Sequence, residues 1–133
     1  VERVRRRSQG HVFDVELDEL HLVGDPDGLE RVVTNLLDNA VKWSPPGSTI
    51  RVRLHGNRLT VADSGPGIPE QERERVFDPF VRLDPSRDRA TGGCGLGMAI
   101  VRSIAVAMKG QVAVDTSRDG GARFRFSWPS EGL

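Results

Sequence analysis

Three groups of residues have types and spacings that could do chemistry. Asn35, Asn39 and Lys42 stand four and three residues apart, so on a helix two amides and an ammonium share one face and point into one volume. That is not core patterning; a polar stripe facing solvent is the competing reading. Asp63-Ser64-Gly65-Pro66-Gly67-Ile68-Pro69 sets a carboxylate beside two glycines, where a backbone must turn sharply or approach a ligand. A purine amino group is a natural partner for Asp63. One hydrogen bond to a charged acceptor is worth about 1.5–3 kcal/mol, enough to select adenine over a base that presents an acceptor there. A plain turn opened by aspartate is the alternative. Gly92-Gly93-Cys94-Gly95-Leu96-Gly97 runs into a helical pattern, and free N–H groups at a helix N-terminus favour phosphate. No Gly-Lys-Ser/Thr follows, as a P-loop requires, and no βαβ unit precedes it, as a dinucleotide fingerprint requires.

The elements that must position these groups are legible from periodicity and turn chemistry. Residues 11–17 and 20–23 read as short strands. Gly24-Asp25-Pro26 then stops the chain and opens a helix, with Asp25 as cap and Pro26 at the first position. Leu29, Val32, Val33, Leu36, Leu37 and Ala40 form its apolar side, and Ser44-Pro45-Pro46-Gly47 ends it. Residues 49–54 and 58–62 alternate as strands around His55-Gly56-Asn57, a hairpin signal. Asp63 therefore falls at a strand end. After the glycine and proline loop comes a short helical stretch over 70–76, then a loop over 78–94 without sustained periodicity, long enough to read as mobile and functional. Leu96, Ile100, Ile104 and Met108 mark a second helix, with Lys109 in its last turn and Gly110 as its stop. Residues 111–116 and 122–128 close the chain as strands joined through Asp119-Gly120-Gly121.

Composition bounds the classes of function. The 133 residues suit one domain, expected over 11–133, with 1–10 as a linker remnant: an arginine-dense solvated stretch or the frayed end of a preceding helix. Nineteen basic and nineteen acidic side chains cancel, so no general attraction for nucleic acid or an anionic membrane is expected. Cys94 is the only cysteine, which removes any internal disulfide and makes the cytosol the default compartment. No apolar run approaches the roughly 20 residues of a membrane span. With no initiator Met the chain reads as an excised fragment, expected to be monomeric.

Taken in order, the three segments resemble the N, G1 and G2 boxes of the superfamily that contains gyrase B, Hsp90, histidine kinases and MutL. The likeness is strongest to sensor histidine kinases. It is carried by Asn35-Leu36-Leu37-Asp38-Asn39-Ala40-Val41-Lys42, by Asp63 to Pro69, by Val76-Phe77-Asp78-Pro79-Phe80-Val81-Arg82, and by Gly93-Cys94-Gly95-Leu96-Gly97-Met98-Ala99-Ile100. The resemblance implies an α/β (α+β) two-layer sandwich of the Bergerat type, a mixed β-sheet with helices on one face and a flexible lid over ATP. It implies that Asp63 binds the adenine amino group, with Gly65, Gly67 and Ile68 in the same loop. Asn39 would coordinate Mg²⁺ through its amide oxygen, while Asn35 and Lys42 support the phosphates. Magnesium prefers hard oxygen ligands and keeps several waters, so one amide plus phosphate oxygens is a reasonable set. Gly93, Gly95, Leu96 and Gly97 would form the phosphate loop, with Cys94 a tolerated filler between glycines. Phe77 and Phe80 match the F box that docks the lid. Arg82 is the first candidate for the γ-phosphate, ahead of Arg87 and Arg89. Trp43 stacks on adenine or packs at the helix end.

Hydrolytic relatives carry an acidic residue four positions before the magnesium asparagine, and here that position is Asn35. An amide cannot accept a proton as a carboxylate does, so rapid intrinsic hydrolysis is not expected. Phosphoryl transfer needs mainly positioning and charge stabilisation. The resemblance therefore implies a protein-histidine kinase whose nucleophile lies on a separate dimerisation and phosphoacceptor domain, with a response regulator downstream. The full-length parent would be an inner-membrane sensor with this domain in the cytosol. His11, His21 and His55 have no acidic neighbour of the phosphoacceptor kind and read as ordinary surface or edge residues. An anti-sigma-factor type serine kinase and a non-catalytic nucleotide-sensing module are the alternatives.

Overall fold

Helix α1 spans Pro26–Trp43 because its apolar residues recur at helical spacing, and Leu29, Val32, Leu36 and Ala40 are buried along that stripe. Pro26 opens the helix, where a missing N–H is no loss. Ser44 N–H closes the last turn on the Ala40 carbonyl at 3.0 Å, after which Pro45 and Pro46 cannot continue it. The computed structural model describes residues 2–8, 10–17, 26–78, 97–118 and 120–129. The expected strand over 20–23, the Asp25 cap and most of the expected lid loop lie outside the described residues.

Strands β1 (Glu2–Ser8), β2 (His11–Leu17), β3 (Thr49–His55), β4 (Arg58–Ala62), β5 (Gln111–Thr116) and β6 (Ala122–Ser127) form one sheet in the order β1-β2-β3-β4-β6-β5. Among the described strands only the β2–β3 pair is parallel, since α1 makes the crossover between them; the other pairs are antiparallel. The sheet is mixed, as expected. The stretch expected as a linker is corrected: residues 2–8 pair with β2 along its whole length, Glu2 opposite Leu17 and Ser8 opposite His11. An edge strand needs hydrogen bonds on one side only, so it forms without the apolar alternation that identifies an inner strand.

Helix α2 (Gly97–Ala107) packs with α1 on one face of the sheet. Between the layers lie Ile50, Val52, Leu59, Val61, Phe124 and Phe126 from the sheet and Val32, Leu36, Val101 and Ala105 from the helices. Full burial of each large apolar side chain is worth about 1.5–3 kcal/mol. The opposite sheet face alternates charges instead, with Arg53 paired to Asp14 and Arg123 and Arg125 paired to Asp115.

Two expectations change in detail. The helical stretch over 70–76 is two 3₁₀ turns, Glu70–Glu72 and Arg75–Phe77. The left-handed residue that ends α2 is Lys109, at φ 59°, not Gly110. Gly110 N–H then bonds the Ala105 carbonyl at 2.8 Å and Lys109 N–H that of Val106 at 3.0 Å, the two bonds of a Schellman cap. Glycine is required at 110 for a different reason, because a Cβ there would collide with the Ser127 carbonyl of β6.

Candidate nucleotide-binding site

Asp63 is the first residue after β4, and it is only 3% exposed. Its N–H donates to the Ala122 carbonyl at 2.8 Å, extending the β4–β6 ladder by one residue. Its Oδ1 accepts two backbone hydrogen bonds, from Ala122 N–H at 2.9 Å and from Gly65 N–H at 3.0 Å. Its Oδ2 accepts none from any described residue. Burial raises the Asp63 pKa above the ordinary carboxylate value, and the two amide donors, Ala122 then Gly65, pull against that shift. A buried carboxylate with one oxygen pinned and the other uncommitted is an acceptor set for a donor supplied from outside.

The loop after Asp63 is held close to the end of α1. A Cβ on Gly65 would lie 2.6 Å from the Trp43 carbonyl oxygen, so only glycine allows the approach. Gly67 has φ +79°, and a Cβ there would sit 2.8 Å from the Gly120 carbonyl. Ser64 N–H donates to the buried Ser44 Oγ at 3.2 Å, and Ser64 Oγ to the Thr49 carbonyl at 2.9 Å. Ile68 packs against the core, and its carbonyl accepts from Arg73 Nε at 3.2 Å. Lys42 Nζ lies 5.3 Å from the centre of the half-buried Trp43 ring, a cation–π contact at the same helix end.

Asn35 and Gly97 come together. A Cβ on Gly97, at the start of α2, would be 3.3 Å from Asn35 Oδ1. Asn35 Nδ2 donates to the Arg31 carbonyl one turn back at 3.0 Å, which leaves the oxygen facing α2. Asn39, one turn on, is half-buried, and its amide makes no hydrogen bond to a described residue. Thus the first helix and the start of the second meet, while Asp63 and its loop meet the end of the first. Phe80, Arg82, Arg87, Arg89, Gly93, Cys94, Gly95 and Leu96, and with them most of the lid and phosphate loop, lie outside the described residues. Phe77 is buried edge-to-face on Phe124, ring centres 6.1 Å apart, with Arg102 over its ring at 5.3 Å.

Among the histidines, His21 lies outside the described residues and His55 is exposed beside Glu16, with Nε2 to Oε2 at 3.0 Å. His11 corrects an expectation. It is buried, not a surface residue, with Nε2 at 3.0 Å from the Ser44 carbonyl, because β2 runs beneath the end of α1. Residues that the sequence did not single out lie on the β5–β6 turn. A Cβ on Gly121 would collide with the Asp63 carbonyl and carboxylate oxygens. The buried Ser117 donates its hydroxyl to the Asp63 carbonyl at 2.9 Å. Their only signal was a second glycine in a turn that needed one.

The family model of histidine kinase-, DNA gyrase B- and HSP90-like ATPases matches residues 24–132. The chain belongs to this family. Within it, the sensor protein RstB of Escherichia coli (strain K12) is 60% identical over 131 residues, which cover 96% of this chain and 28% of that protein. The histidine-protein kinase/phosphatase MprB of Mycolicibacterium smegmatis is 46% identical over 91% of this chain and 25% of its own length. The chain therefore spans about a quarter of these curated relatives. A solved mycobacterial sensor histidine kinase MprB superposes with a TM-score of 0.75 at 38% identity, covering 88% of this chain and 80% of that one. Full-length ShkA, solved in complex with AMPPNP, gives 0.68 at 28% identity over 91% of this chain and 27% of its own. The fold and the ATPase family thus match the resemblance carried by the motifs. Among the described residues, no helix is long and apolar enough to cross a membrane.

Proposed function

We propose that this chain is the ATP-binding catalytic domain of a two-component sensor histidine kinase, over residues 11–133 with β1 as an added edge strand. It binds ATP with Mg²⁺ and delivers the γ-phosphoryl group to a histidine on a separate dimerisation and phosphoacceptor domain. The observation that carries this reading is Asp63, buried with Oδ1 held by two amides and Oδ2 open to the adenine amino group. Gly65, Gly67 and Ile68 shape the loop under the base, and Trp43 flanks it from the end of α1.

Asn35 and Lys42, both half-buried on α1, support the phosphates, and Gly93, Gly95, Leu96 and Gly97 supply backbone donors at the start of α2. Arg82 approaches the γ-phosphate, and Phe80 docks the lid beside Phe77. The donors fit Mg²⁺: Asn39 has an uncommitted amide, and the described residues contain no cluster of three His, Cys, Asp or Glu that would hold an ion without the nucleotide. The ion would neutralise phosphate charge, with Asn39 as its one protein ligand. Asn35 cannot serve as a base for water, which favours transfer over hydrolysis. The whole parent would act on a response regulator from the cytoplasmic side of a membrane.

The test is transfer in trans. Labelled ATP and a separately prepared helical-hairpin domain bearing the phosphoacceptor histidine are expected to give an acid-labile phosphohistidine. Acid-stable phosphoserine on a protein substrate would support the serine-kinase alternative. ATP binding without transfer to either would support a nucleotide-sensing module.

A further inference from the structure

Asp63 follows the last β4–β6 pair, Ala62 opposite Arg123, and its N–H still reaches the Ala122 carbonyl, but the peptide unit that begins at its own carbonyl lies beyond the ladder. Two side chains hold that unit: Ser44 Oγ accepts from Ser64 N–H at 3.2 Å, and the turn that follows β5 takes the carbonyl. Ser117 Oγ donates to the Asp63 carbonyl at 2.9 Å, 54 residues away in sequence, and Ser117 is 5% exposed. The turn is tied to itself by Ser117 N–H to the Gly121 carbonyl at 2.8 Å and Gly120 N–H to the Ser117 carbonyl at 3.0 Å. It is also tied to Asp63 by the exchange of bonds with Ala122. Gly121 lets the turn come this near, since any Cβ there would overlap Asp63 oxygens.

The consequence concerns direction. The Asp63 carbonyl belongs to the same peptide unit as Ser64 N–H, and the next amide, Gly65 N–H, is one of the two donors that pin Oδ1. Fixing that carbonyl fixes the rotation between the Asp63 side chain and Gly65, and so the direction in which Oδ2 faces. We infer that Ser117 is a positioning residue that sets adenine selectivity by holding the Asp63 carbonyl. This rests on the reading of Asp63 as the acceptor of the adenine amino group. Ser117 touches no nucleotide; it acts through Asp63.

A positioning role separates from a structural one by which nucleotides suffer. Loss of the hydroxyl blurs the direction of Oδ2, which distinguishes an amino group from a carbonyl on the base, and leaves groups that hold phosphates unchanged. Calorimetric titration of the chain with ATP–Mg²⁺ and GTP–Mg²⁺ is expected to show Ser117→Ala weakening ATP about three- to tenfold. GTP binding should move less than about twofold, so the ATP preference falls. If Ser117→Ala does not fold, Ser117→Cys, whose thiol fills the site as a weaker donor, carries the same expectation of a reduced ATP preference. Equal weakening of both nucleotides, or no change in either, overturns the inference while leaving Asp63 as the adenine acceptor. Wild-type chain that binds ATP and GTP equally overturns the reading of Asp63 itself, so the two failures are distinct.

Discussion

Replacing Asp63 by asparagine tests the adenine acceptor while sparing the fold. The amide oxygen can take the place of Oδ1 and keep the bonds from Ala122 and Gly65. The amide nitrogen then stands where Oδ2 was, offering a donor to the adenine donor. The loss is one hydrogen bond to a charged acceptor, about 1.5–3 kcal/mol. At about 1.4 kcal/mol per decade this is roughly a 10- to 150-fold rise in the ATP Kd. Stability should move the other way. Burial raises the folded-state pKa of Asp63 above 3.8. Its protonated form therefore contributes stability that is complete below the unfolded value and lost as pH rises through the raised folded value. At neutral pH the ionised carboxylate costs the nucleotide-free domain stability, and Asp63→Asn removes that cost. The variant is expected to melt at the same or a higher temperature than wild type by scanning calorimetry while binding ATP far more weakly by titration. An Asp63→Asn domain that binds ATP within about twofold of a binding-competent wild type would refute the assignment.

Four further outcomes follow from the same geometry. Asn39→Ala is expected to remove the Mg²⁺-dependent part of ATP affinity, at least about tenfold, while leaving affinity in EDTA unchanged; equal loss in both conditions would remove Asn39 from the metal. Gly65→Ala sets a Cβ 2.6 Å from the Trp43 carbonyl, backbone against side chain with no flexible partner to yield. It should cost about 1–3 kcal/mol in urea unfolding and weaken ATP as well. Phe77→Ala removes a buried ring packed edge-to-face on Phe124 and should cost about 3–5 kcal/mol, read as a lower urea midpoint. Asp115 is held below the ordinary carboxylate pKa first by its hydrogen bonds from Arg123, each 2.8 Å. Its stabilisation is present above the unfolded value of 3.8 and lost as pH falls through the depressed folded value. Asp115→Asn should therefore cost about 0.5–1 kcal/mol at pH 7, allowing for solvent screening. The difference from wild type should shrink in acid unfolding curves.

Elements set by local pattern were legible in the amino-acid order alone. The stripe from Leu29 to Ala40 specified α1, and Gly56-Asn57 specified the β3–β4 hairpin, because helix periodicity and positive-φ turns are properties of neighbouring residues. The candidate site was legible as residue types: an aspartate after a strand, glycines around it, and amides at helical spacing. Its placement was not. Strand β1 carries four arginines and depends on a partner strand for its identity. Lys109 holds the left-handed position and Gly110 the close approach to β6, a division visible only once the two segments meet.

The sequence by itself determined which chemical groups this protein can present to a nucleotide, since a carboxylate, amides and glycine-bounded amides are intrinsic to their positions. Only the tertiary structure decided which oxygen of Asp63 is left to accept. Beside the local Gly65 N–H, the groups that hold its other carboxylate oxygen and its carbonyl, Ala122 and Ser117, come from 59 and 54 residues further along the chain. Hydrogen bonds across that distance exist only after the sheet has closed β4 against β6, so no local pattern encodes them.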